Sequence, residues 1–195
     1  ILDLLLTLEK QINITEEQSE TYRNLRKKMI NSLKRESKSF GKLDFEKSYS
    51  NVSVGEVSQE YSQRIDNPSN SPINEFIGLE NFQSGELLIR DFDSTEMLVS
   101  AMKLCNKGDV LFARRNAYLK RTSMVEKDAV CSGDVIVIKP DTKHIRPLFL
   151  TLVLNTDTFW SYAISNAAGT MSKRVKWRDL KTYSFNLPNL NIQDK

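Results

Sequence analysis

The chain has 195 residues, 39% of them apolar and 27% charged, which suffices for one ordinary globular core with an appendage and excludes the disordered and fibrous classes. No apolar stretch approaches the roughly 20 residues that span a bilayer, and Ile1–Leu6 carries Asp3 and no basic leader, so a cytoplasmic protein without a membrane partner is expected. The net charge of +3 hides a split: 8 basic and 6 acidic side chains over residues 1–40, 4 and 11 over 41–100, then 16 and 8 over 101–195, a basic C-terminal half suited to phosphate-rich partners.

From Ile1 to about Ser39 there is neither Gly nor Pro, and Ile1, Leu5, Leu8, Ile12, Tyr22, Met29 and Leu33 recur in a 4-3 rhythm. That spacing predicts a coiled-coil-type helix over 1–39, with Thr15, Ser19 and Arg26 as weak seam positions. A helix of about 36 residues is roughly 54 Å long, too long to be buried on so small a domain. Leu5, Leu8, Ile12, Tyr22, Met29 and Leu33 are therefore expected to meet a second helix, from another copy or from a missing part of the chain. Packing on its own domain as an ordinary amphipathic helix is the alternative. The start without Met and the stop at Ile192–Lys195 point to a fragment or a half-subunit.

After Gly41 the pattern changes. Residues 51–57 suit a strand or a helix start, and Asp66-Asn-Pro-Ser-Asn-Ser-Pro72 is turn chemistry for an exposed loop. Short β-branched and aromatic runs at 76–79, 87–89, 110–113, 124–125 and 135–138 predict strands. Leu148–Ser165 has helical spacing, Trp177–Leu180 a helical turn, and Phe185–Leu187 a last strand closed by Pro188. The expected fold class is α+β, a mixed sheet with helices at one side and the long helix in front. Its segments are a helix over 1–39, a domain over 40–187 and the start of a further helix over 188–195.

Between two of those strands lies Arg114-Arg-Asn-Ala-Tyr-Leu-Lys-Arg121, read as the return of a hairpin. Arg114, Arg115, Lys120 and Arg121 can take phosphates or guanine edges, Asn116 can pair with adenine, and Tyr118 can stack or touch the backbone. A charged hairpin tip is also what plain solvated surface looks like. A second cluster, Gly169-Thr-Met-Ser-Lys-Arg-Val-Lys-Trp-Arg178, sets Lys173, Arg174, Lys176 and Arg178 beside a turn whose Gly169, Thr170 and Ser172 suit phosphate. Its alternative is a strand with Val175 and Trp177 inward and the basic residues outward.

Catalytic readings are weak. Ser132, Asp134 and His144, the single histidine, lack a nucleophile-elbow context. Asp141 and Asp179 with Lys181 imitate a metal-dependent nuclease site, but Pro-Asp pairs are common turn starters. Cys105 and Cys131 lie in strand-like segments without C-x-x-C spacing and are expected to be buried reduced thiols, so neither a disulfide nor a metal is foreseen.

The order of blocks over residues 50–195 resembles a target recognition domain of a type I restriction-modification specificity subunit. The blocks are Phe76–Glu80, Lys107–Arg121, Val130-Cys-Ser-Gly-Asp134, Pro147-x-Phe-Leu150, Gly169-Thr-x-Ser172 and Leu187-Pro-x-Leu190-x-x-Gln193. Leu8–Ile12 with Thr15-Glu16 is similar to the spacer helix that precedes such a domain. The resemblance implies a non-catalytic protein that reads one half of a split double-stranded DNA target. It implies methyltransferase and restriction subunits as partners, with S-adenosylmethionine, ATP and Mg on those subunits only, and a second spacer helix beside the first. The same resemblance places the DNA-facing loops at Arg114–Tyr118 with Lys120 and Arg121, and at Gly169, Thr170 and Ser172. A helical scaffold protein without sequence-specific DNA binding is the competing expectation.

Overall fold

In the computed structural model, which describes residues 49–169 and 173–194, β1 (Tyr49–Ser53) runs into a single helical turn, α1 (Val54–Val57), and on to β2 (Ser58–Tyr61). Strand and helix start, both open from the sequence, are both used. The Glu56 carboxylate accepts from Ser53 N at 2.6 Å and Ser53 Oγ at 2.7 Å, which fixes the first turn and holds the carboxyl below its ordinary pKa. The predicted helix over 1–39, with Leu5, Leu8, Ile12, Tyr22, Met29 and Leu33, lies outside the described residues, as do Thr170 and Ser172.

Strands β3 (Arg64–Ile65), β4 (Glu75–Ile77), β5 (Asp93–Ser94), β6 (Met102–Cys105), β7 (Val110–Ala113), β8 (Thr122–Met124), β9 (Ala129–Cys131) and β10 (Val135–Pro140) follow. Next come α2 (Pro147–Leu154), α3 (Asp157–Ser165), α4 (Trp177–Leu180), β11 (Ser184–Pro188) and α5 (Leu190–Gln193). The strands make three sheets: β1-β11, β2-β10-β7-β8 and β3-β6-β9-β4-β5. Only β4 with β9 is parallel among the paired strands, so the five-stranded sheet is mixed and the fold is α+β.

Period-2 alternation in β7 and β10 divides the core. Their register sets Phe112 opposite Ile136, Val110 opposite Ile138 and Leu111 opposite Val137. Successive side chains leave a strand on opposite faces. Val110, Phe112, Ile136 and Ile138 accordingly pack with Leu150, Leu154, Phe159 and Trp160 of the helices, while Leu111, Val135 and Val137 pack with Ile77, Cys105, Ala129 and Cys131 of the five-stranded sheet. The four-stranded sheet is thus covered on both faces, which is why these two strands read as unbroken apolar runs. Both cysteines are free and fully buried; their mutual contact, together with burial, pushes the Cys105 thiol strongly up.

Two sequence expectations need correction. The helix foreseen over 148–165 is two helices, because Thr156 caps a new start: its Oγ1 accepts from Phe159 N at 3.3 Å and donates to Val153 O at 2.8 Å. Asn155 fills the break, its Nδ2 donating to Thr122 O and Thr151 O at 3.0 Å each. Leu87–Ile89 is no strand; it makes one parallel bridge, Leu88 to Met124, with Met124 N donating to Leu87 O and Ile89 N to Met124 O. An apolar triplet between Gly85 and Arg90 is too short to build a ladder of its own. No helix among the described residues is long and apolar enough to cross a membrane.

Candidate nucleic-acid interface

The segment 114–121 leaves β7 and returns as β8, its antiparallel neighbour, so the hairpin return expected from the sequence is present. Phe112, one residue pair back, stacks on Trp160 with ring centroids 5.4 Å apart and meets Phe159 edge-on at 6.1 Å. The strand end is therefore set in the most densely aromatic part of the core. Beyond it the chain turns through Asn116, at φ 54 and ψ 56, a 3-10 turn over Ala117–Leu119, and Lys120 at φ 50 and ψ 56. Asn tolerates the left-handed region better than most residues; Lys does not. The turn is closed by Leu119 N to Asn116 O at 2.9 Å and Lys120 N to Ala117 O at 3.0 Å. Ala117 is buried, while Tyr118 and Leu119 are 65% and 40% exposed.

The second cluster lies directly against the first. Val175 N donates to Arg114 O at 2.9 Å and Asn116 N to Lys173 O at 3.2 Å, which pairs Arg115 with Arg174 in an antiparallel bridge. On its other edge Arg174 exchanges two backbone hydrogen bonds with Ala168, at 3.0 and 2.9 Å. Gly169 follows Ala168 at φ 123, a conformation open chiefly to glycine. Val175 is fully buried and Trp177 packs half-buried beside it, while Lys173, Arg174, Lys176 and Arg178 are exposed. The alternative of an outward-alternating strand is thus right about which residues are core, but the segment is held by bridges and by the turn of α4.

The charged groups divide by use. Asp134 sits between the clusters: Oδ1 accepts from Arg174 Nε at 3.0 Å, and Oδ2 lies 3.6 Å from Arg115 Nη1. Lys120 Nζ pairs with Asp157 at 3.3 Å. Arg121 turns inward, its Nη1 donating to Leu79 O at 3.0 Å and its Nη2 to Arg115 O at 3.3 Å, and burial lowers its pKa. Arg114 is half-buried, and Arg114 Nε and Arg121 Nε are buried without a hydrogen-bond partner among the described residues. Arg121 therefore braces the loop and Arg114 is half-buried, whereas Arg115, Tyr118, Lys173, Arg174 and Lys176 face outward.

The residues of the catalytic readings do not converge. His144 Nδ1 meets Asp141 Oδ2 at 2.9 Å, a contact that holds the Asp141 carboxyl below its ordinary pKa. Asp134 is taken by the arginines, Ser132 Oγ accepts from Asp134 N at 3.3 Å, and Asp179 pairs with Arg178 at 3.4 Å. Sequence reasoning set Asp134 in a triad and at the end of a family-like block, with no role beside the arginines, and did not single out Asp157 or Leu79. Their roles join residues 19 to 42 positions apart, a distance at which sequence carries no local signal.

Residues 48–195 match the family described as type I restriction modification DNA specificity domain. The chain belongs to this family. As a specificity domain it is non-catalytic. Two solved structures share its fold. One is the HsdS subunit from Thermoanaerobacter tengcongensis, 22% identical with a TM-score of 0.63, over 79% of this chain and 41% of that one. The other is a chain from work on complex assembly and conformational transition of the type I R-M system, 16% identical with a TM-score of 0.56, over 96% of this chain and 48% of that one. The specificity domain thus spans less than half the length of either solved relative. No curated protein matches the chain.

Proposed function

We propose that this specificity domain binds duplex DNA in the cytoplasm and reads one half of a bipartite target within a type I restriction-modification assembly. Methyltransferase and restriction subunits, with their S-adenosylmethionine, ATP and Mg, then act on the DNA so selected, and a second helix pairs with residues 1–39. The observation that supports this best is the direct backbone pairing of residues 114–116 with 173–175. It joins the two basic segments, which supports reading them as one face, with Arg115, Tyr118, Lys173, Arg174 and Lys176 all exposed. Lysines suit phosphates as point charges, arginines suit phosphates or guanine edges, and an exposed Tyr suits the sugar-phosphate backbone or a base. Gly169, Thr170 and Ser172 are proposed to contact phosphate as well.

The test is duplex affinity as a function of salt. Each phosphate neutralised contributes about −0.9 to the slope of log K against log salt, so several contacts give a steep decline. Absence of duplex binding at low salt would favour the helical scaffold reading instead. Arg115→Ala adds resolution: loss of about 1–3 kcal/mol confined to the preferred sequence marks a base contact, and equal loss on all duplexes marks a phosphate contact.

A further inference from the structure

Asp134 closes the Val130–Asp134 block and stands in the middle of a basic face, where a carboxylate can only repel a phosphate. Its backbone explains part of its place, since Asp134 O accepts from Arg114 N at 3.0 Å. The carboxylate needs another explanation. It is 22% exposed, against 44% for each of the two arginine side chains it meets, so it is the more buried partner of both pairs. Those arginines come from separate segments, 59 positions apart, and each touches a different carboxylate oxygen, Arg174 at 3.0 Å and Arg115 at 3.6 Å.

Without Asp134, two guanidiniums on a shared backbone bridge would repel and splay apart. With it, Arg174 is hydrogen-bonded through Nε and Arg115 lies within ion-pair distance of the same carboxylate. Among the described residues the Arg174 guanidinium meets only Asp134, through Nε, and a guanidinium has five donors in a fixed fork. Among the described residues no acceptor meets its terminal amino groups, and a base edge can take them. A negative charge beside two positive ones also lowers the attraction of the face for phosphate in general. Specificity is a difference of affinities, and weakening the sequence-independent part increases it.

The geometry points to Asp134 as a positioning residue that orients Arg115 and Arg174 toward base edges and restrains binding to DNA of any sequence. This rests on the DNA-reading function proposed above. The carboxylate itself touches no DNA.

The experiment uses the duplex that the parent chain selects from a randomised pool and a scrambled duplex of equal length. Affinities are measured against salt for the parent, Asp134→Asn, Asp134→Ala and Asp134→Glu. For Asn and Ala, binding to the scrambled duplex is expected to tighten about threefold, the effect in water of removing one unit charge about 7 Å from a phosphate. Their salt slopes should steepen, and the ratio of selected to scrambled affinity should fall about tenfold. Asp134→Glu should restore most of that ratio. A carboxylate that merely supports the fold would weaken binding to both duplexes, and that result overturns the proposal, as does an unchanged ratio in both neutral variants. Should Asp134→Ala fail to fold, the near-isosteric Asn variant gives the same readout. A parent chain that selects no duplex sinks this proposal together with the function beneath it, whereas a selective parent with unchanged variants sinks this proposal alone.

Discussion

The two basic segments are held in opposite ways. Residues 114–121 continue a buried strand, return as its neighbour and are clamped from below by Arg121 on Leu79 O and Arg115 O. Residues 173–176 belong to no named strand; they hang on Arg114, Asn116 and Ala168 by backbone hydrogen bonds and are pinned by buried Val175. The core positions the first segment, and the first segment helps to position the second. A fold built this way can change the second segment while keeping the platform that orients it, because the platform's own supports lie in the β7–β8 hairpin and the aromatic cluster.

Breaking the platform should therefore have the largest effect. Phe112→Ala removes a ring stacked on Trp160 and is expected to lower unfolding free energy by about 3–5 kcal/mol in chemical denaturation. Protection from amide exchange should then fall in both segments together. Arg121→Ala acts only on the clamp and should cost about 1–3 kcal/mol, with faster exchange at the Asn116 and Val175 amides that join the segments. Val175→Ala tests the reverse direction. Loss of two buried carbons is worth about 1.5 kcal/mol, and exchange should quicken around 173–175 while the Ala113 amide, bonded to Arg121 O, stays protected. Equal loosening of both segments by Val175→Ala would show that neither leads.

The smallest effect is expected away from both segments. Arg146 bonds Asp194 at 2.7 and 2.9 Å, which holds the Asp194 carboxyl below its ordinary value of 3.8. A carboxyl whose pKa is lowered by folding stabilises the fold above its unfolded value and ceases to do so as pH falls through the folded one. The unfolding midpoints of the parent and Asp194→Asn should thus differ slightly above pH 3.8 and converge at lower pH. A difference that grows on acidification would contradict that assignment.

Legibility followed the range of the forces involved. β7 and β10 could be read because apolar runs are local, and so could the return at 114–121, where an apolar strand gives way abruptly to Arg-Arg-Asn. Polar β2, Ser-Gln-Glu-Tyr, carries no such pattern and is a strand only because β10 offers it hydrogen bonds. The break before α3 did leave a trace, Thr156-Asp157 in mid-run, masked by the apolar spacing on either side. Which arginine braces and which presents could not be read at all: Arg115 and Arg121 look alike in sequence, and only the carbonyl of Leu79 and the carboxylate of Asp134 separate them.

The most direct test of one shared face compares duplex affinity against salt for the parent, Arg115→Ala from the first segment and Lys173→Ala/Lys176→Ala from the second. Both variants are predicted to bind more weakly than the parent, and the double lysine variant should flatten the slope by about two units. Affinity and slope equal to the parent's in either variant would remove that segment from the interface and contradict the account.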